Sequence, residues 1–281
     1  MGFYEKGIER IWTEDADYQK IALNGILECI RNMQGEVKDN LLKYMISDGM
    51  FYVPSDIYMS EIFGDTIMEY NNGVYIGEAC KLCFRLAMPV RLLDDTVIGF
   101  IGYSNKDDFD EDNQAFVKYL YPPKYILQKS RYMYITRKEL LKALDDDYIC
   151  IVDGLFDQKA LVANGINAVS LCGSAVTEYH KLYLNSIKHK VVIADNDSAG
   201  RKMAADLKRI WPSAVEIYQD KSKDIDSYIK TPERVIEVKN IINLMKKEGF
   251  MLSHRLKSER LGVSYGKEEA IKEVDKAEEV Q

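Results

Sequence analysis

The sequence predicts an α/β protein in which a central parallel sheet is flanked by helices. Between residues 147 and 230, apolar runs that are typical of buried strands alternate with segments of helical spacing. This alternation implies crossover connections and therefore parallel strands. Acidic residues follow three of the predicted strands, at the strand ends where open α/β sheets bind their ligands.

The predicted strands and helices of this region follow one another closely along the chain. Strands are expected at residues 148–152, 168–172, 190–194 and 214–218. Helices are expected at residues 157–164, 177–187 and 198–210. Gly165 is placed to end the first of these helices, and Thr177 is placed to cap the second.

The remainder of the chain divides into three regions by its residue pattern. Residues 1–75 are expected to be mostly helical, and residues 18–33 have clear helical spacing of apolar side chains. Residues 76–146 are predicted to form a basic α+β subdomain. Residues 231–281 are predicted to be helical up to residue 263 and then to continue as a charged, flexible tail.

Composition limits the classes of protein to consider. The chain has 281 residues, of which 47% are hydrophobic and 30% are charged, as in ordinary globular proteins. No apolar run approaches the roughly 18 residues of a membrane span, and the N-terminus lacks the apolar core of a signal peptide. We therefore expect a cytoplasmic protein. The formal charge of −7 argues against nucleic-acid binding through bulk charge alone.

The five cysteines indicate reduced thiols, because their number is odd and the chain has no export signal. Cys80 and Cys83 form one CxxC pair, without the second pair that a structural zinc site needs. The three histidines do not stand at zinc-finger spacing. No zinc is expected.

Basic residues and tyrosines are interleaved between residues 118 and 142. The basic residues are Lys118, Lys124, Lys129, Arg131, Arg137, Lys138 and Lys142. The tyrosines are Tyr119, Tyr121, Tyr125, Tyr132 and Tyr134. Cations that hold phosphates and rings that stack on bases are typical of a surface that binds single-stranded nucleic acid. The alternative is a solvated basic face that covers tyrosines of the core.

Six aspartates near the strand ends are candidates for a shared metal site. They are Asp153, Asp157, Asp195, Asp197, Asp224 and Asp226. Crowded carboxylates repel one another and are tolerated when a divalent cation such as Mg²⁺ neutralises them. Two such cations can hold the attacking and leaving oxygens of an in-line displacement at phosphorus.

Each of these acids also has a local structural interpretation. Asp197 and Asp224 are placed to cap the helices that follow them, and Asp157 suits the first turn of a helix. Asp153 stands beside Gly154 and suits a turn. Three acidic strand ends in one sheet are harder to attribute to capping, so we favour a shared metal site.

The acidic motifs resemble those of the TOPRIM domain, and more closely those of bacterial and phage DnaG-class DNA primases. Asp153-Gly154-Leu-Phe-Asp157 resembles the first TOPRIM motif. Asp195-Asn-Asp197 resembles the second, and Ala199-Gly200-Arg201 continues it as in the primases. Asp224-Ile-Asp226 is similar to the third acidic pair of the primases.

The resemblance extends upstream of the acids, which separates primases from other TOPRIM proteins. Residues 84–90 and 97–100 resemble a strand pair of the primase core, and residues 118–123 and 128–134 resemble its lysine-bearing segments. It implies a TOPRIM domain at residues 147–230, preceded by a mixed α+β primase N-terminal subdomain. It also implies a surface that binds nucleotide or template, formed by Arg85, Arg91, Lys118, Lys124, Lys129 and Arg131.

The activity that the resemblance implies is synthesis of short RNA primers from ribonucleoside triphosphates on a single-stranded DNA template, with Mg²⁺ or Mn²⁺. Asp153, Asp195 and Asp197 would be the catalytic acids. Asp157, Asp224 and Asp226 would complete a second metal or triphosphate site. A TOPRIM-type metal-dependent nuclease and a non-catalytic, nucleic-acid-binding replication subunit are the alternatives.

The sequence departs from the primase pattern in three respects. The first acid is aspartate, Asp153, where the family has glutamate, and Tyr103 stands where the family has arginine. A four-ligand zinc module and a helicase-binding domain are also missing from the pattern. We therefore expect a compact, phage-type primase in the host cytoplasm. Its expected partners are a replicative helicase and a separate zinc-binding or single-strand-binding protein.

Overall fold

The structure is a computed structural model that describes residues 3–55, 61–63, 75–76, 79–80, 82–104, 118–173, 175–219 and 224–256. Within these residues the chain forms an antiparallel sheet, a parallel sheet and a two-stranded hairpin. Helices pack beside both sheets. The predicted α/β fold, with a parallel sheet flanked by helices and a mixed N-terminal region, is confirmed.

Helices form most of the first 50 residues, as predicted. Helix α1 spans Phe3–Glu9 and continues into a π-helical turn at Arg10–Glu14. Helix α2 spans Ala16–Cys29, and α3 spans Gly35–Ser47. Asp15 caps α2 because its carboxylate accepts hydrogen bonds from two backbone N–H groups of the first turn.

Helices α1 and α2 pack against the antiparallel sheet. Its strands are β1 (Phe51–Val53), β4 (Arg85–Arg91), β5 (Val97–Tyr103) and β6 (Tyr119–Leu120), paired in that order. Strands β2 (Tyr75–Ile76) and β3 (Ala79–Cys80) form the hairpin. β1 lies within the region that was predicted to be mostly helical, and it pairs with β4 of the next region. The predicted domain boundaries stay a prediction.

The parallel sheet contains the four predicted strands and one that was not predicted. Its strands are β7 (Tyr148–Val152), β8 (Ala168–Ser170), β9 (His189–Ile193), β10 (Val215–Gln219) and β11 (His254–Leu256). Their order in the sheet is β11-β10-β9-β7-β8. Since β7 and β9 are neighbours, the ends of these two acid-bearing strands lie side by side.

The prediction of one helical segment from residue 231 to residue 263 is wrong. Helix α9 (Pro232–Lys247) ends where Gly249 and Phe250 both adopt a left-handed backbone, with φ of 67° and 56°. The N–H of Phe250 donates to the Met245 carbonyl, which closes the end of the helix. The chain then forms β11, which pairs with β10, so the strand predicted at residues 214–218 is not the last one.

The other helices pack on the parallel sheet or connect its strands. They are α4 (Arg137–Asp145), α5 (Leu155–Ala163), α6 (Glu178–Leu184), α7 (Ser198–Ile210) and α8 (Ile225–Tyr228). Thr136 and Glu139 form a reciprocal capping box at the start of α4. None of the described helices combines the length and the hydrophobicity needed to cross a lipid bilayer.

One hydrophobic core joins the two sheets. Leu86 and Ile101 of the antiparallel sheet belong to the same buried cluster as Cys150 and Val191 of the parallel sheet. Tyr134 also connects the sheets, because its backbone N–H donates to Ser170 at 2.8 Å while its hydroxyl donates to the Pro89 carbonyl at 3.0 Å. The acidic strand ends are therefore fixed relative to the basic subdomain.

Candidate functional site

Two of the six acids follow neighbouring parallel strands. β7 ends at Val152, directly before Asp153, and β9 ends at Ile193, two residues before Asp195. The register pairs Val152 with Ile193, so both acids leave the sheet at the same edge. Neighbouring strands are about 4.8 Å apart, which brings the two backbones within reach of one ligand.

Three further acids converge from the helices α5 and α8. Asp157 lies in the first turn of α5, Asp224 caps α8, and Asp226 lies in the first turn of α8. A carboxylate oxygen of each lies within 4.8 Å of one from each of the others. The N–H of Asp226 donates to Asp157 Oδ1 at 3.0 Å, which holds the two helix starts together.

The carboxylates influence one another strongly. Burial and, after it, the nearby carboxylates of Asp157, Asp224, Asp153 and Asp197 together raise the pKa of Asp195 to about 7. Burial also raises the pKa of Asp153, and Asp197 adds to that rise. The structure therefore brings all six predicted acids into one electrostatically coupled group.

Capping and metal binding are compatible in this arrangement. Asp197 Oδ1 accepts the N–H of Gly200 at 2.9 Å, and Asp224 Oδ1 accepts the N–H of Ser227 at 3.2 Å, so both residues are helix caps. A carboxylate has two oxygens and about four lone-pair sites, so a cap retains the capacity to bind a cation. The local interpretation is thus correct for these residues without excluding the shared site.

Gly200 allows α7 to begin close to the acids. A Cβ atom at this position would lie 2.1 Å from the carbonyl oxygen of Asp195, a contact that backbone atoms cannot accommodate. Only glycine therefore permits the first turn of α7 to pack on the Asp195 backbone. Ser170 supports the neighbouring acid, since its hydroxyl donates to the Asp153 carbonyl at 2.7 Å.

Two of the predicted basic residues lie near the acids. Burial raises the pKa of Asp153, and both Lys118 and Lys129 partly oppose that rise. Lys118 likewise opposes the rise in the pKa of Asp157, which is caused first by burial. Lys129 Nζ lies 3.4 Å from the ring centroid of Tyr121, whose hydroxyl donates to the Cys172 carbonyl at 3.4 Å.

The other predicted basic residues have different surroundings. Arg85 is 7% exposed, and burial lowers its pKa. Arg91 donates to the Asp48 carbonyl at 2.8 Å and lies 3.5 Å from the Asp48 carboxylate, so it takes part in an internal ion pair. Lys124 and Arg131 are exposed. The roles of all four in binding nucleotide or template stay predictions.

The interleaved tyrosines do not form one surface. Tyr132 and Tyr134 are buried, so the alternative of core tyrosines beneath a basic face is correct for them. Tyr125 is 72% exposed. Tyr119 has a structural role that the sequence pattern does not indicate. Its hydroxyl accepts the N–H of Phe156 at 3.2 Å and thereby helps to position the start of α5.

Lys159 is a buried cation that the sequence analysis missed. It lies on α5, two residues after Asp157, and its Nζ is 2.7 Å from Asp48 Oδ2 and 3.0 Å from the Tyr44 hydroxyl. The ion pair fixes α5 to the end of α3. Helix α5 reads Leu-Phe-Asp-Gln-Lys-Ala-Leu-Val-Ala, so no signal in its sequence marks Lys159 as buried.

Raising the pH from about 5 to about 8 is expected to destabilise the metal-free protein. The pKa of Asp195 is about 7 in the folded state and 3.8 in the unfolded state. Between these two pH values the folded state therefore keeps a proton that the unfolded state has lost. The resulting stabilisation is complete below about pH 4 and is lost as the pH rises through about 7. Thermal unfolding in EDTA across this range measures the effect.

Mg²⁺ is expected to restore stability at the higher pH, because a cation bound to the folded state offsets the repulsion. Asp195→Asn is the control, since it removes this titrating group and should reduce the pH dependence, of which a part remains because burial raises the pKa of Asp157 to about 6. A melting temperature in EDTA that stays constant between pH 5 and pH 8 would contradict the coupling of the acids.

The comparisons with known proteins agree with this geometry. Residues 150–229 match the sequence model of the Toprim-like family. A DNA primase from Legionella pneumophila is 34% identical over 123 residues, which cover 43% of this chain and 20% of that protein. The chain therefore spans only about a fifth of this relative.

Solved primase structures share the fold over most of the chain. The zinc-binding and RNA polymerase domains of Aquifex aeolicus primase match with a TM-score of 0.63 and 18% identity, over 87% of this chain and 62% of that one. A DnaG primase catalytic domain bound to single-stranded DNA matches with a TM-score of 0.53 and 18% identity, over 87% and 82% of the two chains. The chain therefore has the fold of a DnaG-class primase catalytic core, with a Toprim-like domain at residues 150–229.

Proposed function

We propose that this protein synthesises short RNA primers on a single-stranded DNA template by metal-dependent nucleotidyl transfer. The observation that supports this proposal best is the convergence of six carboxylates beside Lys118 and Lys129. Acids of this kind suit a cation that binds phosphate oxygens, and the lysines suit the phosphates themselves. The similar protein from Legionella pneumophila is named a DNA primase.

The donor set fits Mg²⁺ or Mn²⁺. All six donors are carboxylate oxygens, which are the hard ligands that these ions prefer. Asp153, Asp195 and Asp197 would hold the catalytic cation, and Asp157, Asp224 and Asp226 a second cation or the ion of a bound triphosphate. When bound, such an ion supplies charge neutralisation and orientation at the reacting phosphate.

Zinc is not expected in this site. Zinc prefers thiolate and imidazole ligands, and burial raises the pKa of the nearby Cys172 thiol to about 12. A thiol with this pKa stays protonated at neutral pH in the metal-free protein. Cys150 is buried within β7, and burial raises its pKa to about 12 as well.

In the proposed reaction, the 3′-hydroxyl oxygen of the growing RNA attacks the α-phosphorus of the incoming nucleotide. A new P–O bond forms, the bond to pyrophosphate breaks, and the hydroxyl proton is released. The rigid mounting of Asp153 and Asp195 on adjacent strands supplies positioning. Lys118 and Lys129 stabilise the negative charge of the triphosphate or template as the two substrates approach.

Incubation of the pure protein with single-stranded DNA, labelled ribonucleotides and Mg²⁺ or Mn²⁺ tests the proposal. Short RNA products that require DNA, metal and nucleotides are expected. Shortened DNA in the absence of nucleotides would instead indicate the nuclease. DNA binding with neither product would indicate a non-catalytic subunit. A replicative helicase and a separate zinc-binding or single-strand-binding protein remain the predicted partners.

A further inference from the structure

Phe84 has a backbone conformation that its side chain does not favour. Its φ is 58°, in the left-handed region that bulky L-residues avoid. Among the described residues other than glycine, Asp95 and Asp147 also have positive φ, but aspartate tolerates it. Cys172 and Phe250 share it and are buried. The Phe250 ring stacks on His189 at 4.3 Å, whereas Phe84 is 62% exposed.

The surrounding backbone imposes this conformation. The N–H of Phe84 donates to the Val53 carbonyl at 2.7 Å, and the next N–H, of Arg85, donates to the Leu82 carbonyl at 3.1 Å. These two bonds fix the turn that leads into β4. Asparagine or glycine would satisfy the same turn with less strain. The fold therefore accounts for the turn but not for an exposed phenyl ring within it.

Phe84 lies at the same end of the antiparallel sheet as the backbone of Lys118, one of the two lysines near the acids. Arg85 follows it directly and pairs with Val53 on one side. On the other side, the register of β4 and β5 places Arg85 next to Ser104, whose N–H donates to the Lys118 carbonyl at 3.1 Å. Strands are about 4.8 Å apart, so the backbones of Phe84 and Lys118 are roughly 10 Å apart across the sheet.

We propose that Phe84 is a stacking platform for a base of the single-stranded template. The inference rests on the proposed function, and it adds a residue that would contact the template outside the acidic site. A ring exposed at the same end of the sheet as a lysine suits this role, since rings stack on bases while cations hold phosphates. Strain in an exposed residue is retained when function requires that side chain.

The sharpest test compares Phe84→Asn with Phe84→Trp in binding to a labelled single-stranded oligonucleotide without nucleotides. Phe84→Asn is expected to bind about 5- to 100-fold more weakly, which is the effect of losing one stacked base. It should melt at the same or a higher temperature, because asparagine suits the turn. Phe84→Trp should retain affinity, and its fluorescence should be quenched when DNA binds.

Leu182→Asn is the matched control. Leu182 lies on α6 and is 68% exposed, so its replacement removes a similar apolar surface elsewhere, and DNA affinity should stay unchanged. Oligonucleotides with a single abasic position complete the design. One such position should weaken binding to the wild-type chain but not weaken binding to Phe84→Asn any further.

Equal affinity of the wild type and Phe84→Asn, or equal losses at every abasic position in both, would overturn the inference. That result would mean that the Phe84 ring does not stack on a base of the template. Failure of the proposed function is a separate outcome, since it appears as wild-type protein that makes no RNA or binds no single strand. If the wild type binds DNA without making RNA and Phe84→Asn binds more weakly, the stacking inference stands alone.

Discussion

Replacing Asp195 with alanine is expected to lower the rate of primer synthesis by about a thousandfold. Asp195 follows β9 at the edge where the acids converge. Burial raises its pKa most, and four other carboxylates add to that rise. Its removal takes away a central ligand of the proposed cation. Incorporation of labelled ribonucleotides on a single-stranded template, compared at equal protein concentrations, measures the loss.

Stability separates this effect from misfolding. Since Asp195 is repelled by its neighbours, the metal-free Asp195→Ala variant should unfold at the same temperature as the wild type or above it. Asp206→Ala is the control on the exposed face of α7, where Asp206 pairs with Arg209 at 2.8 Å. That variant should retain full activity. Near-wild-type synthesis by Asp195→Ala would remove the acid from the proposed mechanism.

Lys159→Met is expected to lower the free energy of unfolding by about 3 kcal/mol, because it leaves the Asp48 carboxylate buried with a weaker partner. Lys159 is 1% exposed, and its Nζ lies 4.2 Å from the Tyr134 ring and 2.7 Å from Asp48 Oδ2. Arg91 stays 3.5 Å from Asp48, which limits the loss. Urea denaturation at neutral pH measures the change.

A double variant makes this prediction sharper. Asp48→Asn combined with Lys159→Met should cost less than the sum of the two single changes, since neither charge is then left unpaired. Lys181→Met is the comparison at the surface, where Lys181 pairs with Glu178 and the loss should be below about 1 kcal/mol. Strict additivity of the buried pair would show that the two charges do not stabilise each other.

The acidic site was predictable from sequence because parallel strands bring their carboxyl ends to one edge. The runs before Asp153 and Asp195 are short and uniformly apolar, which marks β7 and β9 as buried strands. Asp157, Asp224 and Asp226 stand at the starts of helices that begin at the same edge of the sheet. The local sequence was therefore sufficient to predict both these strands and the acidic residues at their ends.

Long-range features were not predictable in the same way. Lys159 is buried because its partner Asp48 lies 111 residues earlier in the chain, and no local pattern reports such a pairing. Strand β11 has only three residues after a long helix, so its apolar periodicity is too short to recognise. The sequence left open whether Tyr132 and Tyr134 belong to a binding surface or to the core, because their burial depends on the layer that packs against them.

The added strand β11 has a practical consequence for work with fragments. β10 lies between β9 and β11, so its outer backbone groups are covered by residues beyond the Toprim-like segment. A fragment that stops at residue 230 would leave that edge bare, and bare edges recruit other chains. Fragments intended for crystallisation or titration should therefore extend at least through Leu256.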